Sequence, residues 1–138
     1  MMSGIRGTNT RPELVLRRGL HKRGFRFRLH ARKLPGKPDL VFPKCNAVIF
    51  VNGCFWHGHD CHLFKWPQTR EDFWKKKISG NVMRDAANLA ALREQGWRIG
   101  QIWECALKGK TRRSTDEVLD RCTVWLTGNK PELEIQGK

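Results

Sequence analysis

Ala47-Val48-Ile49-Phe50-Val51-Asn52-Gly53-Cys54-Phe55-Trp56-His57-Gly58-His59-Asp60-Cys61-His62 is a short apolar run that delivers the chain into a loop of thiols, imidazoles and large aromatics. The first five residues are too few for a helix and read as a buried strand. Just upstream, Asp39-Leu40-Val41-Phe42 is a second such run, and Pro43-Lys44-Cys45-Asn46 joins the two as a hairpin. The loop therefore hangs from a strand end.

No hydrophobic core calls for the composition of that loop. Thiolate and imidazole are the ligand pair zinc favours, and a structural site takes four in a tetrahedron. Cys54, His57, His59, Cys61 and His62 exceed that number, which leaves histidines for other work. Cys105, far downstream in Trp103-Glu104-Cys105-Ala106-Leu107, is placed to close the tetrahedron from another element. The spacing Cys-x4-His-x-Cys is no standard finger or ribbon. The alternative is a buried thiol or two beside a solvent-facing histidine run. Cys45 and Cys122 have no histidine neighbours and read as packing residues.

Working outward, Thr10-Arg11-Pro12-Glu13 has the form of a capping box and opens a helix to about Lys22. Phe25-Arg26-Phe27-Arg28-Leu29 alternates strictly, as a half-buried strand with its arginines outward. A helix is expected from Thr69 to about Gln95, with Gly80 as a candidate break and Gly96 as its stop. Residues 97–103 read as a third core strand, with Trp97 and Trp103 in the core. Ser114 caps a last helix that ends near Gly128. The order α-β-β-β-α-β-α predicts an α/β fold, a mixed β-sheet flanked by α-helices. One domain is expected over residues 1–128, followed by a loose polar tail over 129–138.

The formal charge is +14 on 138 residues, and it is uneven. Residues 1–37 hold eleven Lys and Arg against the single acid Glu13. Such a block suits a polyanion, most plausibly nucleic acid, and no amphipathic stretch pairs it with a wide apolar face for a membrane. Met1-Met2-Ser3-Gly4-Ile5-Arg6 has no apolar core of a secretory leader, and five cysteines are an odd number for a disulfide framework. A cytoplasmic protein with reduced thiols is expected.

Pro38-Asp39, at the start of a strand after a basic turn, is the opening of the PD-(D/E)xK nuclease pattern. Phosphodiester cleavage draws on divalent cations, and hard cations want carboxylate oxygen. The second half of the pattern is missing, because Phe50-Val51-Asn52-Gly53 offers neither carboxylate nor lysine. A standard member is excluded. A variant remains, in which the second strand lends a backbone carbonyl to the metal and His57 handles the proton. The competing reading of Asp39 is a turn-forming residue.

Pro35-Gly36-Lys37-Pro38-Asp39, Gly53 to Cys61, Leu63-Phe64-Lys65, Asn81-Val82-Met83-Arg84-Asp85 and Trp103 to Leu107 together resemble the very-short-patch repair endonucleases. These bacterial enzymes nick DNA beside the thymine of a T:G mismatch. The motifs keep their order from about residue 10 to 127. The resemblance implies a restriction-endonuclease-like fold with a structural zinc on Cys54, His59, Cys61 and Cys105. It implies magnesium on Asp39 with the main-chain carbonyl of Val51, His57 as general base with Asp85 beside it, and Glu13 completing the site. Phe55, Trp56 and Trp74 would wedge into the base stack, where a mispaired step is the cheapest to open. Core packing is the competing reading for these rings. For Asp85 it is a solvated helix carboxylate, and for Glu13 a capping acid. Asn52 is a departure, since the family usually has histidine there. An amide cannot carry a proton charge.

The expected activity is thus a metal-dependent mismatch nickase, a monomer on double-stranded DNA, with Arg26 and Arg28 on phosphates and DNA repair proteins as candidate partners. The alternatives are a related endonuclease without mismatch preference and a non-catalytic, zinc-bearing DNA-binding module.

Overall fold

A computed structural model describes residues 10–138; Met1–Arg6 and the rest of 1–9, including the Arg6 charge, lie outside them. Helix α1 (Arg11–Lys22) is capped by Thr10, which accepts a hydrogen bond from the Glu13 N–H, and Pro12 sits in the first turn. Strands β1 (Arg28–Leu29), β2 (Leu40–Phe42) and β3 (Ala47–Asn52) follow, then α2 (Glu71–Glu94), β4 (Arg98–Trp103), α3 (Glu104–Leu107), α4 (Thr115–Thr127) and β5 (Glu132–Ile135). Asn46, in the left-handed region at φ 53°, closes the turn between β2 and β3, as the hairpin reading expected.

The strands form one five-stranded sheet in the order β1-β2-β3-β4-β5. β2 runs antiparallel to both β1 and β3, whereas β3, β4 and β5 are mutually parallel. Alternation along β3 sorts the core into two layers. Ala47, Ile49 and Val51 pack with Leu16 and Leu20 of α1 and with Val118, Cys122 and Trp125 of α4. Val48 and Phe50 face Leu89 and Leu92 of α2. Helices thus cover both faces, the arrangement a partly parallel sheet requires. Among the described residues no helix is long and apolar enough to cross a membrane.

Three expectations are corrected. Only Arg28 and Leu29 pair as a strand; Phe25 and Phe27 lie before it, their rings held edge-on and tilted against Phe42 at 6.3 and 5.4 Å. Gly80 does not interrupt α2, which runs unbroken for 24 residues. The tail over 129–138 is not loose: it supplies β5, which pairs with β4 and buries Ile135 completely in the larger core. Glu-Leu-Glu-Ile alternates with period two, the strand signal that the polar composition of the tail masked.

Candidate active site and metal centre

Because β3, β4 and β5 are parallel, their C-terminal ends share one edge of the sheet, and the site is built there. β2 runs the other way, so its first residues meet the last residues of β3. That brings Asp39 to Val51, whose N–H donates to Asp39 Oδ2 at 2.7 Å. Asp39 is 9 % exposed. Burial pushes its carboxyl up to about 6, against the Val51 N–H, which favours the anion; the Glu13 carboxylate adds to the rise, and His30 and His57 oppose it.

Glu13 is far more than a capping acid. It is 1 % exposed, and ligand atoms of Glu13, His30 and Asp39 all lie within 4.8 Å of one another. His30 Nε2 donates to Glu13 Oε2 at 2.7 Å, and Arg17 reaches the same oxygen at 3.3 Å. Sequence reasoning missed His30. It is a lone histidine outside any motif, brought in by the left-handed kink after β1 (φ 49°) and by its N–H bond to the Asp39 carbonyl. The trio offers two carboxylates and an imidazole, a donor set that suits a divalent cation.

His57 sits on the loop after β3, and its Nδ1 donates to Asp85 Oδ2 of α2 at 2.5 Å. A carboxylate can only accept, so this bond places the imidazole proton on Nδ1 and leaves Nε2 as a base. The loop is seated on α2 by two further features. Asn81 donates to the Trp56 carbonyl at 2.9 Å, and Gly58, in the left-handed region at φ 63°, packs closely on Val82 and Ile78. Asn52 is buried, and its Nδ2 donates to Gln101 Oε1 on β4 at 3.2 Å. It shares with Asp85 and Asn88 a cavity of about 20 Å³, room for one water.

On the same loop, the ligand atoms of Cys54, His59, Cys61 and Cys105 all lie within 4.8 Å of one another. Cys54 and Cys105 are buried, and burial raises both thiols further above their ordinary value. Three thiols and an imidazole converging on one point, two of them buried and two half-buried, fit a metal ion, which takes the thiols as thiolates and offsets that cost. His57 is outside this set. Trp103 is buried as expected, but beside the Cys/His cluster, its ring stacked on His59 at 4.1 Å. Trp97 is half-buried against the α2 face of the core, and Cys122 lies in the larger core, its thiol pushed up to about 12 by burial.

Phe55, Trp56 and Trp74 form one half-exposed aromatic group, with Phe55 5.2 Å from Trp56 and 5.6 Å from Trp74. Phe64 stacks on the other side of Phe55 at 5.6 Å. Of the neighbours Phe73 and Trp74, it is Trp74 that turns inward to this group, while Phe73 stays 44 % exposed. Arg26 and Arg28 are exposed at the β1 edge of the sheet.

A family model described as DNA mismatch endonuclease Vsr matches residues 1–63. The type II nicking enzyme V.XorIIP of Xanthomonas oryzae is 50 % identical over 107 residues, 78 % of this chain and 79 % of its own. DNA mismatch endonuclease Vsr of Escherichia coli is 40 % identical over 134 residues, 97 % of this chain and 86 % of its own. The type II nicking enzyme V.NmeAIP of Neisseria meningitidis is 40 % identical over 80 % of this chain and 79 % of its own. Full-length similarity of this order, on a mixed sheet that carries an acidic-histidine cluster beside a Cys/His loop, assigns the chain to the Vsr family of DNA mismatch endonucleases.

Proposed function

We propose that this protein nicks one strand of duplex DNA next to the thymine of a T:G mismatch. The observation that carries the chemistry is the His57–Asp85 pair, held on a loop that lies within electrostatic reach of Asp39. His57 Nε2 takes the proton of the attacking water, and Asp85 orients the ring and stabilises the imidazolium that forms. The water oxygen bonds to phosphorus as one ester P–O bond breaks, and the leaving oxygen departs with the electron pair. A divalent cation, magnesium in this reading, supplies charge neutralisation at the scissile phosphate when bound by Asp39 and the Val51 carbonyl. Glu13 and His30, whose ligand atoms lie within 4.8 Å of that of Asp39, would complete the site.

Zinc on Cys54, His59, Cys61 and Cys105 is the structural metal of this reading. Phe55, Trp56 and Trp74 enter the base stack, and the deformability of a mispaired step supplies part of the selectivity. Arg26 and Arg28 hold phosphates without reading sequence. The protein acts as a cytoplasmic monomer, in the company of repair proteins.

One observation favours a non-catalytic DNA-binding protein on the same scaffold: the neutral amide of Asn52, engaged with Gln101. Nicking of an end-labelled duplex with magnesium, in T:G and C:G versions, separates the readings. The mismatch nickase cuts the T:G duplex alone, a general endonuclease cuts both, and a binding module cuts neither.

A further inference from the structure

We infer that the last residues of the chain belong to the metal centre: Gln136 and Gly137 hold His59 and Cys105 in ligating form and so set how long the metal stays. This inference rests on the proposed occupancy of the Cys54/His59/Cys61/Cys105 cluster. The shared edge of the parallel strands explains the meeting. The Cys/His loop leaves β3, Cys105 follows β4, and Gln136 follows β5, all at the same end of the sheet.

An imidazole offers a metal whichever nitrogen its other hydrogen bond leaves free. His59 Nδ1 faces the cluster, 3.7 Å from Cys105 Sγ. Its Nε2 lies 2.9 Å from the side-chain oxygen of Gln136. An amide oxygen only accepts, so the proton sits on Nε2 and the Nδ1 lone pair is turned to the cluster. Cys105 is held by the main chain of the next residue, because the Gly137 N–H donates to its sulfur at 3.3 Å. That approach needs glycine: a Cβ at 137 would stand 2.3 Å from Thr111 Oγ1 and 2.8 Å from the Cys105 carbonyl oxygen.

The segment is fixed on both sides of these contacts. Ile135 is fully buried and pairs with Ile102 in the sheet. Arg113 donates to the Gln136 carbonyl at 2.6 Å, and the Lys138 N–H donates to the Thr111 carbonyl at 2.8 Å. Gln136 itself is exposed, so its side chain carries none of the core and can be changed without unfolding the protein.

The test is metal release from the purified full-length protein into a chromogenic chelator, with metal content measured first. Gln136→Ala is expected to release its metal ten- to a hundred-fold faster than the parent, roughly the loss typical of an outer partner of a metal-bound histidine. Gln136→Glu keeps an acceptor oxygen and should hold the metal at least as long as the parent. Gly137→Ala, which breaks the other contact, should also release faster. Parental release rates in Gln136→Ala, or equal acceleration in Gln136→Ala and Gln136→Glu, would overturn the inference while leaving the metal reading intact. A parent protein that carries no metal removes the metal reading, and this inference with it.

Discussion

Burying Asp39 at the start of β2 acts in opposite directions on stability and on chemistry. Its pKa rises from 3.8 to about 6 on folding, so the native state holds the proton more tightly than the unfolded chain. The stabilising contribution is complete below about pH 4, is lost as pH rises through 6, and stays lost at neutral pH. A shift of this size corresponds to at most about 3 kcal/mol. Asp39→Asn keeps an oxygen for the Val51 N–H and carries no charge. With magnesium withheld at pH 7.5 it is expected to melt several degrees higher than the parent, with the gap closing towards pH 5, and to have lost nicking. A variant no more stable than the parent at pH 7.5 would mean the carboxylate is solvated. Asn52 calls for the opposite change. A histidine there, beside Asp85, could become cationic and offset charge that develops at the phosphate. One charged hydrogen bond is worth roughly 1.5–3 kcal/mol, about ten- to a hundred-fold in rate. Asn52→His should raise the single-turnover nicking rate by that order between pH 6 and 8; no gain at any pH would show the amide to be sufficient.

α2 shows at the scale of an element how local signals and tertiary demands divide the work. Its last turns pack Leu89 and Leu92 on the sheet, while Ile78, Asn81 and Asp85, around its middle, hold the Cys/His loop. Gly80 serves neither purpose, because a Cβ there would meet only the flexible end of Arg84, at 3.4 Å. Gly80→Ala should therefore stabilise the protein by about 0.5–1 kcal/mol, read as a higher midpoint in denaturant with unchanged nicking. A lower midpoint would place a close backbone contact at that turn. The elements legible in the sequence are those whose cause is local. The Thr10 cap, the Pro43–Asn46 turn, the Ser114 cap and the ligand-rich loop each carry their signal within a few residues. His30, Gln136 and the support of Trp103 beneath His59 were not legible, because each owes its role to a partner 17 to 77 residues away. Phe25 and Phe27 misled for a related reason. Their alternation reports which side faces the core, and that holds for packed chain as well as for paired strand.

The proposed function assigns two groups of residues on different elements to DNA. Arg26 and Arg28 lie at the β1 edge of the sheet, and the Phe55/Trp56/Trp74 group lies on the loop after β3, against α2. In the proposed function, charge at the first would set affinity and its salt dependence, while rings at the second would set the response to a weakened base step. Neutralising Arg26 and Arg28 together should flatten the log–log salt slope of binding by roughly two units, if each meets a phosphate, and leave mismatch preference unchanged. Trp56→Ala should erode the preference with little change in slope. A Trp56 variant with undiminished preference would leave the ring as packing alone.

We propose that two histidines on one loop are divided between chemistry and structure, His57 to the proton and His59 to the metal. Asp85 holds the one, Trp103 and Gln136 hold the other, and Cys105 joins the second to the sheet. Bound zinc and single-turnover nicking of a T:G duplex, measured on the same preparations of the parent, His57→Ala and His59→Ala, test it most directly. One zinc per chain and no nicking are expected in His57→Ala, and loss of zinc with a lowered melting temperature in His59→Ala. Zinc lost from His57→Ala and kept by His59→Ala would contradict it.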